Sequence, residues 1–539
     1  MQRTPPPPAQ QENSVQPPQP EPLVMSDFQG LYTSTTRPGV DDKQVWWMDG
    51  YIPIGKMDLR TLPGVGPILW TAPATLTIVF YGFGNIGANP IAIVILSDGS
   101  IYQIITSTGV AMQIAGPGTI LNPAIQNVGI TQYGNYAILI VAKQANGYFV
   151  WNGTIFYKPG DTFGASFMPL GIGGNAIETY SGRVWIANGP TVYFTVPGSL
   201  IDFSSGDGGG NFTSADSFLR VGYTQLIQTN GFLYLIGDSS INYISGVQTA
   251  GSPPVTTFTN QNADPEVGTP YPATVDVFGR NIVFANSWGA HVSYGAAVTK
   301  ISEATDGFYA SVPNFAGLQI SAAKASVYNK KIWMILMPVI DLFTGQQRNK
   351  LVIWNGQIWF VSEQDITLTY IQSQEINSVL TAWGTDGTTL RPLFQNPSAN
   401  FTKRVMSKFW VTPVGYQESK TANRFWALAQ YYNLTSPNVT LYVESEDAGS
   451  FGGGAEKTLV PTNDNSLMQW TTSGGQVMNW TTTGGIPMIW STIGAGIVVF
   501  NPQSIAQQGV MLGFTLETNC ADMAWISAMI APAIWGYRG

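Results

Sequence analysis

Along most of this chain, apolar and polar residues alternate in short runs that break at Gly, Asn and Asp. No long stretch carries the i, i+3, i+4 apolar spacing with caps that a helix requires. Period-two alternation bounded by turn residues is instead the mark of half-buried strands. Several runs superpose on one another. "GANPIAIVILSDGSIYQI" opens at Gly87 and "GNYAILIVAKQANGYFVWNG" at Gly134, with further copies at Gly182, Gly231, Gly279, Asn329 and near Glu375. The intervals run from 46 to 50 residues with a mean of 48. Each unit reads as a turn, an apolar strand, a Gly/Asn/Asp turn and an aromatic-bearing strand, followed by enough chain for two more strands. A period in the forties with about four strands per unit predicts a β-propeller. A lone four-stranded sheet cannot bury both faces, and radial packing of blades covers them while leaving only short edges. The competing fold is one large β-sandwich with coincidental hairpin spacing. Seven phases are visible, but the last could merely close the ring with strands from residues 67–81, so six or seven blades are expected.

The rhythm stops after "LFQNPSAN". Longer alternating strands such as "RVMSKFWVTPV", "RFWALAQYY", "NVTLYVESED" and "GVMLGFTLET" then predict an antiparallel β-sandwich. The expected all-β layout is a Pro/Gln-rich disordered arm at 1–25, a connecting segment at 26–66, the propeller at 67–397 and the sandwich at 398–539. The arm, "MQRTPPPPAQQENSVQPPQPEP", has too few apolar residues to order itself and no apolar stretch of the kind a signal peptide carries. No uninterrupted apolar run is long enough for a membrane-spanning helix, so no direct membrane insertion is expected.

Within the last region one phrase recurs three times, "LMQWTTSGGQVMNWTTTGGIPMIWSTIGAG". Trp470, Trp480 and Trp490 stand ten apart, each two residues after Met468, Met478 or Met488. Met, Trp and the second Thr fall at i, i+2 and i+4, one face of a strand, and the Gly-Gly pairs between copies supply turns. Such a face either packs on its own sandwich or docks on a neighbouring subunit, because Trp and Met are enriched at interface cores. These six residues are the candidate assembly surface.

Composition narrows the function. Only 10% of residues are charged, against about 25% in an average soluble domain. A monomer so sparsely charged is poorly protected against self-association, which points to a surface covered by other subunits. A secreted protein coated with Ser, Thr and Asn is the alternative. Cys520 is the only cysteine and His291 the only histidine, so internal disulfides, CxxC zinc sites and histidine triads are excluded. His291 lies in an alternating segment and is read as a strand residue. A net charge of −8 argues against a tight grip on a phosphate backbone. The one basic stretch, Lys403, Arg404, Lys408, Lys420 and Arg424, is read as a solvated face or a contact with acidic neighbours. Asp98, Asp238, Asp386 and Glu303 fall in turns, where Asp-Gly is simply a favoured dipeptide. "FSSGDGGGNFTSADSF" (Phe203–Phe218) lacks the lysine of a phosphate loop and is read as a flexible surface loop. No catalytic residue, cofactor or metal is assigned.

Four phrases together resemble the packaged-DNA stabilisation proteins of short-tailed bacteriophages, also called tail hub or nozzle proteins. They are "TLPGVGP" (Thr61–Pro67), "GRVWIANGPTVYFTVPGSLIDF" (Gly182–Phe203), "GFLYLIGDSSINYISG" (Gly231–Gly246) and "NADPEVGTPYPATVDVFGRNIVFANSWGAHVSYG" (Asn262–Gly295). The likeness covers roughly residues 26–395 by pattern and the sandwich by position alone; the Pro-rich arm and the Met-x-Trp triplet have no counterpart in it. It implies a non-enzymatic virion subunit, assembled in the host cytoplasm into a hexameric ring beneath the portal. Its implied partners are the adaptor, other tail proteins and double-stranded DNA that passes through without sequence-specific binding. The reading set against it is a carbohydrate-binding or glycoside-hydrolysing propeller with exposed aromatic platforms.

Overall fold

A computed structural model describes residues 21–55, 58–295, 297–310, 320–411, 418–432, 438–446, 455–459, 480–481, 487–488 and 497–537. Most of the Pro/Gln-rich arm lies outside these residues, as do Met468, Trp470, Met478 and Trp490.

The chain is a β-propeller joined to a β-sandwich, and the propeller has seven blades. Antiparallel four-stranded sheets span 78–115, 128–157, 176–213, 223–264 and 276–300, each strand pairing with the next in sequence. The sixth blade is built from 321–362, and the seventh from 370–392 plus a borrowed outer strand, Trp70–Thr71. The second strand of each early blade shows why the repeat is so visible. Ile91–Leu96 and Ala137–Ala142 are buried at every position, because neighbouring blades cover both faces of these central strands. Asp98-Gly99 turns the first of them back on itself. Gly99 has φ of 80°, and a Cβ there would come within 2.0 Å of the Ile120 carbonyl oxygen, so only glycine fits.

Ring closure is both hydrophobic and polar. Ile93, Ile95, Ile138, Trp383 and Leu390 belong to one buried cluster that spans blades one, two and seven. Inside it the Tyr81 hydroxyl, on the inner strand of blade one, donates to the Trp383 carbonyl at 2.8 Å and lies 3.3 Å from that of Tyr370. Both acceptors belong to blade seven, so one side chain bridges the first and last blades.

The sandwich draws on both ends of the chain. One sheet runs, in order, through Tyr51–Pro53, Leu59–Thr61, Met523–Tyr537, Glu418–Tyr431 and Ile497–Gly509. The other is continuous with blade six. Its outer strand, Trp359–Ser362, pairs in parallel with Trp47–Asp49, and the sheet goes on through Lys403–Met406, Met511–Thr518, Val439–Ser445 and Ala455–Leu459. Residues 26–66, expected as a connection, therefore supply three strands to the sandwich. The expected disordered arm also stops short of residue 25, since Leu23–Met25 pair with Ala528–Ile530 and Met25 is buried. The Gly-rich stretch Phe203–Phe218, expected as a flexible loop, is a further correction. Gly210–Thr213 within it is the outermost strand of blade three, and Phe212 packs against Phe258 of blade four at 5.1 Å.

Replacing Tyr81 by Phe deletes the ring-closing hydroxyl and strands two buried carbonyls. The expected loss is about 1–3 kcal/mol in urea unfolding, with an unchanged far-ultraviolet spectrum.

Candidate functional site

The densest charge cluster among the described residues lies where blade six becomes the sandwich. Lys350 sits on the third strand of that blade, Gln347–Trp354, and Asp341 in the turn before it. Glu363 follows the outer strand directly, Asp49 ends the adjoining strand, and Arg404 lies on the strand after that. The sheet order alone brings these charges together. The Lys350 side chain is 0% exposed, and its Nζ lies 2.7 Å from Glu363 Oε1 and 3.0 Å from Asp341 Oδ2, with Asp49 Oδ2 closer still. Arg404 bonds Glu517 at 2.5 Å and stands 3.8 Å from Asp341, while Arg348 reaches Glu363 at 3.6 Å from the rim. The ring of Trp47 lies 5.5 Å from the ammonium.

Burial disfavours every charge here, and the pairing decides which ones survive. Burial alone would lower the Lys350 pKa, but Asp49, Asp341 and Glu363 outweigh it and hold the ammonium well above its ordinary value. Burial would raise Asp341, but Lys350 pulls it below the usual carboxylate range. For Asp49 burial prevails over the attraction of Lys350, and its pKa is raised. Asp49, Asp341 and Glu363 bring their oxygens within 4.8 Å of one another, the spacing of a cation cage. The Lys350 ammonium occupies that position, so the chemistry of this set is structural: a fixed internal cation holds three carboxylates from two domains.

Two arginines extend the joint. Arg37 is buried, pairs with Glu444 at 2.5 Å, donates to the Ser407 carbonyl at 2.8 Å and lies over the Phe409 ring at 4.1 Å. Arg60 makes two 3.1 Å bonds to Asp522 and is held between Tyr328 at 3.9 Å and Tyr432 at 4.0 Å. Tyr328 turns the first hairpin of blade six, so Arg60 connects propeller and sandwich a second time. Beside this joint Lys403 is buried; its Nζ donates to the Ser398 carbonyl at 2.7 Å and sits 4.0 Å from the Phe401 ring. Burial lowers its pKa to about 8.

The propeller throat is the second polar feature. A cavity of about 220 Å³ is lined by inner strands of several blades and includes Glu178 and Asp276. Asp276 pairs with Lys324 at 2.8 Å across blades five and six. Glu178 accepts from Thr131 Oγ1 at 3.1 Å and from the Thr179 amide at 2.8 Å, and burial raises its pKa.

The residues singled out from sequence are scattered. Asp98 accepts from the Ser100 amide and Asp386 from those of Thr388 and Thr389, so each serves its own turn, whereas Asp238 accepts from the Val221 amide and ties its turn to the connection between blades three and four. Glu303 opens a short 3-10 turn far from any of them. His291 is buried on a strand of blade five and stacks on Phe284 at 5.5 Å. The basic stretch does not form one face: Lys403 is buried, Arg404 belongs to the joint, Lys408 pairs with Asp42 at 2.8 Å, and Arg424 is exposed. Of the Met-x-Trp triplet, Trp480 and Met488 are cross-strand partners in a two-stranded antiparallel ladder, and the other four residues lie outside the described part. Sequence reasoning missed the joint. Its only signal is a charge beside an apolar run, as in "NKLVIW" for Lys350 and "VWWMDGY" for Asp49.

No family profile matches this chain, and no curated protein matches it. Solved structures with similarity include BBS1N in complex with ARL6DN, at 9% identity over 65% of this chain and 97% of that one, TM-score 0.35. YCF48 bound to D1 peptide matches at 12% identity over 62% and 100%, TM-score 0.35. A chain of the mitotic checkpoint complex matches at 9% identity over 64% and 94%, TM-score 0.34.

Two outcomes are expected. Lys350→Met removes the central cation from three carboxylates and should cost about 3–5 kcal/mol in chemical unfolding, and adding Asp49→Asn should restore part of that loss. For Lys403 the folded pKa of about 8 lies below the unfolded value of about 10.4. Its contribution is therefore favourable above the unfolded pKa and is lost as pH falls through the folded one. The stability of Lys403→Met relative to wild type should thus be greater at pH 7 than at pH 10.5, by up to about 3 kcal/mol. A pH-independent difference would contradict the assignment.

Proposed function

We propose that this chain is a structural subunit of the tail hub, or nozzle, of a short-tailed bacteriophage. Copies form a ring beneath the portal and adaptor, probed below as a hexamer, that retains packaged DNA and conducts it at ejection. The observation that carries this reading is the joint itself. A propeller and a sandwich that share one sheet, pinned by a buried cation with three carboxylates, make a two-part body with little freedom to hinge. Such a body suits a ring wall under the pressure of a packaged polymer better than it suits a hinge-closing enzyme.

Surface chemistry supports the same reading. Trp288 and Val221 are 77% and 76% exposed, and Phe167 and Leu170 each 69%. Trp288 lies in the turn between the second and third strands of blade five; the others lie in connections between blades two and three or three and four. Up-and-down blades place those turns and connections at one end of the propeller. The four most exposed large apolar side chains thus lie at one end of a sparsely charged protein, and we read that end as its interaction surface. The throat is too constricted, and too carboxylate-lined, to carry a duplex, so DNA would run along the axis of the ring and not through a propeller. An acidic, sparsely cationic wall passes the polymer without gripping it.

Mixing the purified chain with the adaptor ring of the same particle should yield a complex with about six copies in native mass spectrometry. The double variant Trp288→Ser, Val221→Ser should reduce that assembly at least about tenfold while its thermal midpoint is unchanged. A chain that stays monomeric with the adaptor and binds or cleaves glycans would overturn the reading.

A further inference from the structure

Between blades two and three lies a cleft that neither the joint nor the apolar end uses. It measures about 360 Å³ and opens at the end of the propeller opposite Trp288, among the turns that join each blade's inner strand to its second. Tyr133 and Tyr180 end the inner strands of these two blades, and both line it. Each hydroxyl is spent on the next blade: Tyr133 donates to the Gly182 carbonyl at 3.0 Å and Tyr180 to that of Gly231 at 2.8 Å. The rings are thereby fixed before anything binds. Tyr180 is buried and forms the back wall, Tyr133 is half-buried, and Tyr136 beside it is 54% exposed. The Tyr133 and Tyr136 rings stand 5.9 Å apart at 71°, the two sides of a notch. Tyr136 reaches this place by folding over Gly134, where φ is 56° and a Cβ would come within 2.9 Å of its ring. No described lining residue is charged, and Gln228, exposed at the rim, offers an amide N–H.

A tyrosine notch with a rim amide suits a polyproline segment. Proline rings pack on aromatic faces, and a backbone without internal hydrogen bonds or proline N–H groups presents carbonyl acceptors alone. This chain carries such a segment, Pro5–Pro8. It leads to Leu23–Met25, which pairs with Ala528–Ile530 in the sandwich, and the sandwich adjoins blade six. In the ring of seven, blade three lies three steps from blade six one way and blade two three steps the other way, so the cleft between them faces directly away from blade six. To fill its own cleft, the arm would have to cross the whole end of the propeller. Copies set head to tail instead bring the sandwich of one beside blades two and three of the next, and a repeated head-to-tail contact closes into a ring. The fifteen residues from Pro8 to Leu23, at about 3.1 Å each when extended, would reach about 45 Å across that contact.

We propose that Pro5–Pro8 of one copy dock in the tyrosine cleft of the next and strap neighbouring subunits together, an assignment that rests on the ring reading above. The test is fluorescence anisotropy of a labelled peptide of residues 1–22, titrated with the full chain at concentrations where that chain is monomeric. Saturable binding is expected, and a peptide with Ser at all four of Pro5–Pro8 should bind at least about tenfold more weakly. Tyr136→Ala and Gln228→Ala in the chain should each weaken binding at least about fivefold with the thermal midpoint unchanged. Both side chains are exposed, so either variant gives the reading if the other fails to fold. Absent saturation, equal binding of the serine peptide, or cleft variants that bind as wild type would overturn the proposal. Binding of the peptide only to a full chain whose own Pro5–Pro8 are replaced by Ser would overturn it too, because the arm would then fill its own cleft. Cleft-dependent peptide binding by a chain that never assembles on the adaptor would sustain the docking and overturn the tail-hub reading. Assembly on the adaptor without peptide binding would overturn the docking alone.

Discussion

One ammonium group organises this molecule. Lys350 is buried with three carboxylates around it, and those carboxylates come from a blade turn, from the end of a blade and from an N-terminal strand hundreds of residues away in sequence. Remove the cation and the three acids repel one another in a medium that cannot screen them. Remove the acids and the lysine is unsolvated. The cluster therefore forms only when the propeller and the sandwich are docked in one register, and it penalises every other register. The continuous sheet beneath it, from blade six through Asp49 to the sandwich strands, supplies the same constraint through backbone hydrogen bonds.

This dependence explains how the rest is arranged. The ring of blades closes through Tyr81 and Trp70–Thr71, so the N-terminal region enters blade seven only after it has already contributed strands to the sandwich. Arg37 and Arg60 hold that region against the sandwich through Glu444 and Asp522. Both arginines of this region are thus spent inside the protein.

Much of this was legible from sequence, and the physical reason is burial on both faces. A blade's second strand is covered by two neighbours, so it reads as an unbroken apolar run such as "IAIVIL", and seven such runs set the period. The seventh outer strand was legible only as a range: ring-closing strands were expected from residues 67–81, and the structure uses Trp70 and Thr71 of it, two residues that carry no pattern of their own. The strands Trp47–Asp49, Tyr51–Pro53 and Leu59–Thr61 were hidden for the same reason: each is three residues long, and their partners are remote in sequence. The joint shows in sequence only as charges in the wrong company. Lys350 within "NKLVIW" gives no hint of which acids answer it, since Asp49 and Glu363 are brought near by topology and not by spacing.

The Lys350 cluster locks propeller and sandwich into one cooperative body. Native-state amide hydrogen exchange tests it most directly, read at Trp47–Asp49, Trp359–Ser362 and Lys403–Met406 across increasing denaturant. Exchange of these strands only through global unfolding, merging with the blade cores, is the predicted result. Exchange through a separate, lower-energy opening in which the sandwich detaches while the blades stay protected would contradict it.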